Sequence, residues 1–265
     1  MTSIFHDEFM RTALVASLIV GAVCAYLGVY VVLRRIVFVG AALAQVSSAG
    51  VGLALLTGRE PSLTALALTL GGVAAFSIRP AGRKAAQESF IGIGYAVASA
   101  LAVLFVAKSA QGEGHLLDVL SGNILTVTPA QVWWMAAVAA AAIALHTLFH
   151  KQFLYSAFDG ETARASGTRV GWWDLFFFLI LGVIVSLAIR LAGTLLVFAF
   201  LVIPAVTALL LSQRLGRIYA IAIGSAAIAT VAGLYASLRM DLPTGPAIVA
   251  VLFVLLLLAI PISRR

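Results

Sequence analysis

Apolar runs of about 20 residues recur along almost the whole chain, and no other feature restricts its fold as strongly. A helix needs about 17 to 25 apolar residues to cross the hydrocarbon core of a bilayer. The sequence therefore predicts an all-α fold, a polytopic transmembrane helix bundle of about nine spans within a range of eight to ten. The apolar stretch around Arg190 is divided there into two spans by a tight turn, with one broken helix as the alternative. The predicted spans are Thr12–Leu33, Ile36–Thr57, Pro61–Ser77, Ser89–Ala107, Gln131–Phe149, Trp173–Ile189, Leu191–Leu211, Ile218–Leu238 and Gly245–Ile262.

Composition agrees with a membrane protein that has little mass outside the bilayer. Of the 265 residues, 63% are hydrophobic and 10% are charged, whereas about a quarter of the residues in soluble proteins are charged. The formal net charge is +7, but the basic residues stand beside apolar spans instead of forming the stripe typical of nucleic-acid-binding proteins. We therefore expect a single transmembrane domain over residues 1–265. This domain is expected to lie in the lipid bilayer and not to bind nucleic acid.

Lysine and arginine residues are distributed unevenly between alternate connections of the predicted spans. Twelve lie on one side and five on the other, and the positive-inside rule assigns the richer side to the cytoplasm. This predicts an amino terminus outside the cell and a cytoplasmic carboxyl terminus. The cytoplasmic set comprises Arg34, Arg35, Arg79, Arg83, Lys84, Lys151, Arg164, Arg169, Arg214, Arg217, Arg264 and Arg265. The outer set comprises Arg11, Arg59, Lys108, Arg190 and Arg239.

A polar and charged segment, His150–Arg169, interrupts the apolar sequence between two predicted spans. Each charge placed in hydrocarbon costs roughly 2.5 to 3.5 kcal/mol, so this segment is predicted to be a loop in water, on the cytoplasmic side. Within it, Glu161–Ser166 is predicted to form a short helix, with Asp159 as its cap and Gly167 as its stop. A short helix at a membrane surface suits docking to a soluble partner.

The second predicted span carries small residues at four-residue intervals, which places them on one helix face. The adjacent row contains a primary amide, Gln45, which needs a hydrogen-bond partner or water at this depth in the membrane. Two interpretations remain open, namely close helix packing with one satisfied amide, or a helix that lines a translocation path. The small-residue face is Gly40, Ala44, Ser48 and Gly52. The candidate path residues are Ala41, Gln45, Ser47 and Ser48.

Other polar residues have simpler interpretations. His146 and His150 have a spacing that can bind a metal, but a carboxylate and a third ligand are missing, so we expect interfacial histidines. Asp174 follows two tryptophans at the start of a span, where its interaction with the helix dipole explains it. The sequence contains no P-loop, zinc protease motif, nucleophile elbow or dinucleotide fingerprint. We therefore expect a protein that is not an enzyme and has no cofactor and no metal site.

Several motifs in order resemble the membrane permeases of the zinc, manganese and iron branch of ATP-binding cassette importers. RRIVFVGAALAQVSSAGVGLAL resembles the family pattern after the first span, and ESFIGIGYAVASAL resembles its acidic-Ile-Gly stretch. LSGNILTVTPAQV is similar to its Gly-Asn-Ile-Leu loop, and FDGETARASGTRV to its cytoplasmic loop. LAGTLLVFAFLVIPAVTALLL and DLPTGPAIV are similar to the late Ile-Pro-Ala and Leu-Pro-Ser/Thr-Gly patterns. The resemblance extends from about Arg11 to the last span.

This resemblance implies a permease domain in the bacterial inner membrane, working as a homodimer with two cytoplasmic ATPase subunits and an extracytoplasmic solute-binding protein. It also implies that the loop at residues 150–170 contains a coupling helix, Asp159–Gly167, that sits in a groove of the ATPase. The residues that the resemblance assigns to coupling are Phe158, Asp159, Glu161, Ala163 and Gly167.

One departure from the family pattern concerns the substrate. Metal-transporting members usually read Gly-Asp-x-Leu-x-His in the second span, but the two ligand positions here are Ala41 and Gln45. A dehydrated divalent ion would lose both ligands at this point. Three interpretations follow: an importer of divalent metal ions, the same architecture importing a metal chelate or small organic solute, or a membrane assembly subunit that transports nothing.

Overall fold

The computed structural model describes residues 8–77, 84–109, 127–158 and 169–263. All regular secondary structure in these residues is α-helical. The helices are α1 (Glu8–Leu33), α2 (Phe38–Thr57), α3 (Pro61–Ser77), α4 (Lys84–Lys108), α5 (Pro129–Leu148), α6 (His150–Phe158), α7 (Val170–Ala192), α8 (Thr194–Leu211), α9 (Leu215–Met240) and α10 (Thr244–Ser263).

Eight of these helices are long and apolar enough to cross a membrane, judged by length and composition. Of the other two, α3 has 17 residues and is apolar but shorter, and α6 has nine residues. The prediction of an all-helical polytopic bundle of eight to ten spans is therefore confirmed.

The first residues of α3 and α5 show why these two helices begin where they do. Glu60 caps α3, because its carboxylate accepts hydrogen bonds from the Leu63 backbone N–H and the Ser62 hydroxyl, both at 2.7 Å. At α5, the Gln131 side-chain oxygen accepts the Thr128 backbone N–H at 2.9 Å, and the Thr128 hydroxyl accepts the Gln131 N–H at 3.4 Å. This reciprocal pair is a capping box, and in both helices a proline follows the cap, where its missing N–H costs nothing.

The chain forms two compact units. The first comprises Met1–Val32, Leu120–Ala141 and Leu187–Arg265. Within it, α10 packs against α8 and α9, and glycines allow the backbones to approach. A Cβ atom at Gly233 of α9 would lie 2.6 Å from the Ile248 Cα atom of α10.

The second unit comprises Leu33–Val119 and Ala142–Ser186, and α2 packs against α3 and α4 within it. A Cβ atom at Gly50 would lie 2.6 Å from the Ala65 Cα atom of α3, and one at Gly52 would lie 3.1 Å from the Phe105 Cβ atom of α4. The predicted small-residue face, Gly40, Ala44, Ser48 and Gly52, is buried. The expectation of one domain over residues 1–265 stays a prediction.

The break between the two spans, predicted at Arg190, occurs three residues later, at Gly193. Helix α7 continues through Arg190 to Ala192, and α8 begins at Thr194. Gly193 separates them with φ 80° and ψ 163°, a backbone conformation that is essentially restricted to glycine. The break therefore follows the residue that can adopt this conformation and not the charged residue.

The polar segment His150–Arg169 begins as a helix and not as the loop that its charges predict. Helix α6 spans its first nine residues. Phe153 and Ser156 are buried in this helix, whereas Lys151 and Tyr155 are exposed. The helix therefore has one face packed against the protein and one face in contact with the surroundings.

Candidate functional site

The four candidate path residues of α2 lie in two different environments. Ala41 and Gln45 are partly exposed, whereas Ser47 and Ser48 are buried. The Ser47 hydroxyl lies 3.4 Å from the Ser186 hydroxyl of α7, and the Ser48 hydroxyl donates to the Ala44 carbonyl at 3.0 Å. Both serines thus have partners inside the protein, which matches a packing role in this single chain.

Ala41 and Gln45 belong to an exposed strip of α2 that also contains Phe38. The three residues are three and four positions apart, so they share one helix face. Phe38 is 52% exposed and the other two are partly exposed. The strip thus presents an aromatic ring, a methyl group and a neutral amide. The Gln45 amide oxygen is the one metal ligand among these three side chains, and one neutral oxygen is not enough to bind a dehydrated divalent ion.

The predicted coupling residues fall at the edge of the described chain. Phe158 is the last residue of α6, and Asp159, Glu161, Ala163 and Gly167 lie outside the described residues, as does the predicted Glu161–Ser166 helix. What the structure does describe is the pair of helices on either side, α6 before the segment and α7 after it.

A buried ion pair lies where these flanking helices meet the connection between α1 and α2. The Arg34 guanidinium, on that connection, donates to the Asp174 carboxylate, in the first turns of α7. The same nitrogen donates to the Ser156 hydroxyl of α6 at 2.9 Å, and this hydroxyl donates to the Asp174 carboxylate at 3.2 Å. We call these three residues the Arg34 triad.

The Arg34 triad is nearly sealed from the surroundings. The side chains of Arg34 and Asp174 are 4% and 1% exposed, and Ser156 is 3% exposed. The Phe177 ring lies 5.9 Å from the guanidinium carbon, which adds a cation–π contact. A buried pair of this kind is costly to break, because removing one partner strands the other charge at a cost of about 3 to 5 kcal/mol.

Aromatic residues join α6 to the end of α5 and the start of α7. Phe153 of α6 is fully buried, and its ring stacks on His146 at 4.8 Å and on Phe176 at 5.8 Å between centroids. The Phe153 ring also meets Trp173 edge-on at 5.7 Å, and Trp173 lies 5.2 Å from Phe149. We call these residues the aromatic base. Helices α6 and α7, which stand before and after residues 159–168 in the sequence, are therefore joined in one packed cluster.

The sequence alone indicates other roles for the residues of this cluster. Arg34 counted only as a topology charge, and Asp174 only as a charge near a helix dipole. The proximity of Arg34 and Asp174 could not be inferred, because they are 140 positions apart in the sequence. His146 and His150 are near each other, at 6.4 Å between centroids, but the rings are inclined by 67° and His146 is stacked on Phe153. Among the described residues, no group of three or more His, Cys, Asp or Glu side chains could hold a metal ion.

Comparison with known proteins finds relatives that match nearly the whole chain. The chain is 31% identical over 261 residues to the manganese transport system membrane protein MntC of Listeria monocytogenes, covering 98% of this chain and 92% of that protein. It is 29% identical over 263 residues to a Haemophilus influenzae protein described as a probable iron transport system membrane protein, covering 98% and 92% of the two chains.

A solved structure agrees with this similarity. The structure of PsaBC from Streptococcus pneumoniae in complex with Fab superposes with a TM-score of 0.84 at 26% identity, covering 97% of this chain and 92% of that one. The sequence pattern of the ABC 3 transport family matches residues 6–263. Since this match includes all but the ends of the chain, the protein belongs to the ABC 3 transport family.

Proposed function

We propose that this chain is the membrane-spanning permease subunit of a binding-protein-dependent ABC importer that carries divalent metal ions. The observation that carries the proposal is the family match over residues 6–263, which includes every helix of the bundle. The names of the similar proteins support the cargo, since they are manganese and iron transport membrane proteins. The subunit itself catalyses no reaction, and a separate ATPase supplies the energy.

The proposed partners are two cytoplasmic ATPase subunits, an extracytoplasmic solute-binding protein and a second copy of the permease. The partly exposed strip Phe38, Ala41 and Gln45 supports the second copy, because an amide that faces lipid in one chain can face a partner or water in a dimer. In this arrangement the two α2 strips line the path on the dimer axis. The cytoplasmic side is the one that carries Arg34, Lys151 and Arg217, by the positive-inside rule.

The proposed mechanism is alternating access. ATP binding and hydrolysis in the partner move the segment Asp159–Gly167, which transmits the motion to α7 and α2. Phe158, Asp159, Glu161, Ala163 and Gly167 are the proposed ATPase contacts. The structure supports this assignment through the flanking helices, because α6 and α7 are joined by the aromatic base and by the Ser156–Asp174 hydrogen bond of 3.2 Å. Flanking helices joined in this way can pass a displacement of the segment on to the bundle.

The cargo must pass Ala41 and Gln45 without the carboxylate and imidazole that would bind a dehydrated ion. Two neutral amide oxygens, one from each copy, suit an ion that keeps part of its water shell. Selection among divalent ions would then occur at delivery by the solute-binding protein and not at this point of the path.

Uptake into proteoliposomes tests the proposed function. The permease is reconstituted with its ATPase inside and its solute-binding protein outside, and uptake of Mn²⁺, Fe²⁺ and Zn²⁺ is measured with ATP inside the vesicles. We expect ATP-dependent uptake of at least one bare ion, and none when the ATPase is omitted. Uptake of chelated metal alone would show a chelate importer. ATP hydrolysis and uptake that do not depend on the permease would overturn the proposal.

A further inference from the structure

We propose that the Arg34 triad is the mechanical link between the ATPase-coupling segment and the path helix α2, so that Arg34, Ser156 and Asp174 are positioning residues for transport. This inference rests on the proposed function. It assigns to these residues a role that neither their charge pattern nor the family match predicts.

The triad joins the two helices that flank the coupling segment. Ser156 lies near the end of α6, just before the segment, and Asp174 lies in the first turns of α7, just after it. Arg34 donates to the Ser156 hydroxyl at 2.9 Å and to the Asp174 carboxylate, so one guanidinium contacts both flanks. Any displacement of the segment that moves α6 and α7 together must therefore move Arg34 or break its hydrogen bonds.

Arg34 in turn is placed directly before the path helix. Helix α2 begins at Phe38, and at 1.5 Å per residue Ala41 and Gln45 lie about 4.5 and 10.5 Å along its axis. The connection between the triad and α2 is short and ordered, since Ile36 is buried and its carbonyl accepts the Val39 N–H at 3.0 Å. Arg35 has φ 58°, a left-handed conformation that non-glycine residues keep only where their surroundings enforce it. A rotation at Arg34 thus reaches the strip without a flexible joint between.

The competing explanation is that the Arg34–Asp174 pair only stabilises the fold. The chemistry of the pair distinguishes this explanation from a role in transmitting motion. Burying opposite charges gains little over a neutral or apolar replacement of both, so stability alone does not require the pair. Its geometry is directional, because the planar guanidinium fixes the relative positions of two hydrogen-bond acceptors. Transmission of force requires directional contacts of this kind, which hold α6, α7 and the connection before α2 in fixed relative positions.

The experiment compares single and double neutral variants in the complete complex with ATPase and solute-binding protein. The variants are Arg34→Gln, Asp174→Asn and the double Arg34→Gln/Asp174→Asn. The matched control is Arg217→Gln/Asp241→Asn, which changes the same charges at exposed positions outside the triad. Three quantities are measured: the melting temperature, the permease-dependent ATPase rate, and the number of Mn²⁺ ions taken up per ATP hydrolysed.

We expect each single variant to lower the melting temperature, and the double variant to regain most of that loss because no buried charge is stranded. In the double variant, the number of Mn²⁺ ions taken up per ATP should nevertheless be about tenfold lower than in the wild type. A tenfold change lies within the range that is typical of coupling between two sites in a protein. The control should match the wild type in all three quantities. A double variant that melts near the wild type and keeps the wild-type number of ions per ATP would overturn the proposal.

Failure of the proposed function has a different signature. If the wild-type permease stimulates the ATPase but takes up no bare ion, the cargo is wrong, and the triad is then judged by the ATPase rate. In that case the double variant should reduce permease-dependent hydrolysis about tenfold if the triad links the segment to the bundle. Unchanged hydrolysis in a folded double variant would overturn the link.

Discussion

The His146 ring of α5 lies almost parallel to the Phe153 ring of α6, with centroids 4.8 Å apart and planes inclined by 7°. Both side chains are fully buried. The contact joins two helices whose sequences differ sharply in polarity, and it makes Phe153 the centre of the aromatic base. The packing of α6 against α5 and α7 should therefore depend on the Phe153 ring.

Replacing Phe153 by alanine should destabilise the protein by about 3 to 5 kcal/mol, the usual cost of removing a buried aromatic side chain. The measurement is the melting temperature of the purified protein in detergent. The matched control is Tyr155→Ala, since Tyr155 lies on the same helix but is 66% exposed. Equal effects of the two substitutions would contradict the aromatic base.

Replacing Gly50 by alanine should destabilise the contact between α2 and α3. The added Cβ atom would meet the Ala65 Cα atom at 2.6 Å, and overpacking of this kind costs about 1 to 3 kcal/mol. Gly71→Ala is the control, because Gly71 of α3 has open space around it. Melting temperatures of the two variants check the prediction, and a more stable Gly50→Ala variant would rule out the close approach.

Replacing Gly193 by alanine should strain the one-residue connection between α7 and α8. A side chain is disfavoured at φ 80° and ψ 163°, with a penalty of about 1 to 3 kcal/mol. Gly224→Ala is the control, since Gly224 is helical with open space around it. Thermal unfolding of both variants measures the difference. If both variants unfold at the wild-type temperature, the break is not at Gly193.

Restoring ligands on the exposed strip tests whether α2 faces the path. The double variant Ala41→Asp/Gln45→His should lower the Mn²⁺ concentration for half-maximal uptake about tenfold, which corresponds to about 1.4 kcal/mol of binding free energy. The control Ala41→Asn/Gln45→His has the same shape but no carboxylate. Uptake that is identical in the two variants would place the strip away from the path.

Cysteine labelling tests the orientation. Cys24 is fully buried, so we expect no background reaction in the folded protein with a maleimide that cannot cross membranes. Met240→Cys, at a position 67% exposed, should react in intact cells, and Tyr155→Cys should react only after the inner face is opened. Tyr155→Cys reacting in intact cells would reverse the orientation and, with it, the coupling assignment.

The helices themselves were predictable because lipid-spanning sequences carry their information locally. Pro61–Ser77 was predicted with the bounds that the structure has, since a proline follows the capping residue and a polar residue ends the run. Most other boundaries differ by a few residues, because polar residues near the interface can continue a helix. The break near Arg190 was misplaced because charge marks an interface, whereas the backbone conformation at Gly193 determines where the helix ends.

The candidate site was predictable only in part. That Ala41 and Gln45 share one helix face follows from helical periodicity. The coupling segment is implied by the family resemblance and stays a prediction. The Arg34–Asp174 pair depends on tertiary structure, since nothing near either residue in sequence indicates its partner. Helix α6 is not predicted for a related reason: Phe153 and Ser156 are buried by residues of α5, α7 and the connection before α2, which are distant in the sequence or not recognisable from it.

The 140-residue separation between Arg34 and Asp174 also has a consequence for biosynthesis. At a translation rate of about 5 to 20 residues per second, the ribosome adds the aspartate roughly 7 to 28 s after the arginine. Nascent chains that have inserted only α1 to α5 therefore contain the cation without this carboxylate. The connection before α2 can gain this ion pair only after α7 has emerged, which makes the ionic contact a late step in the maturation of the bundle.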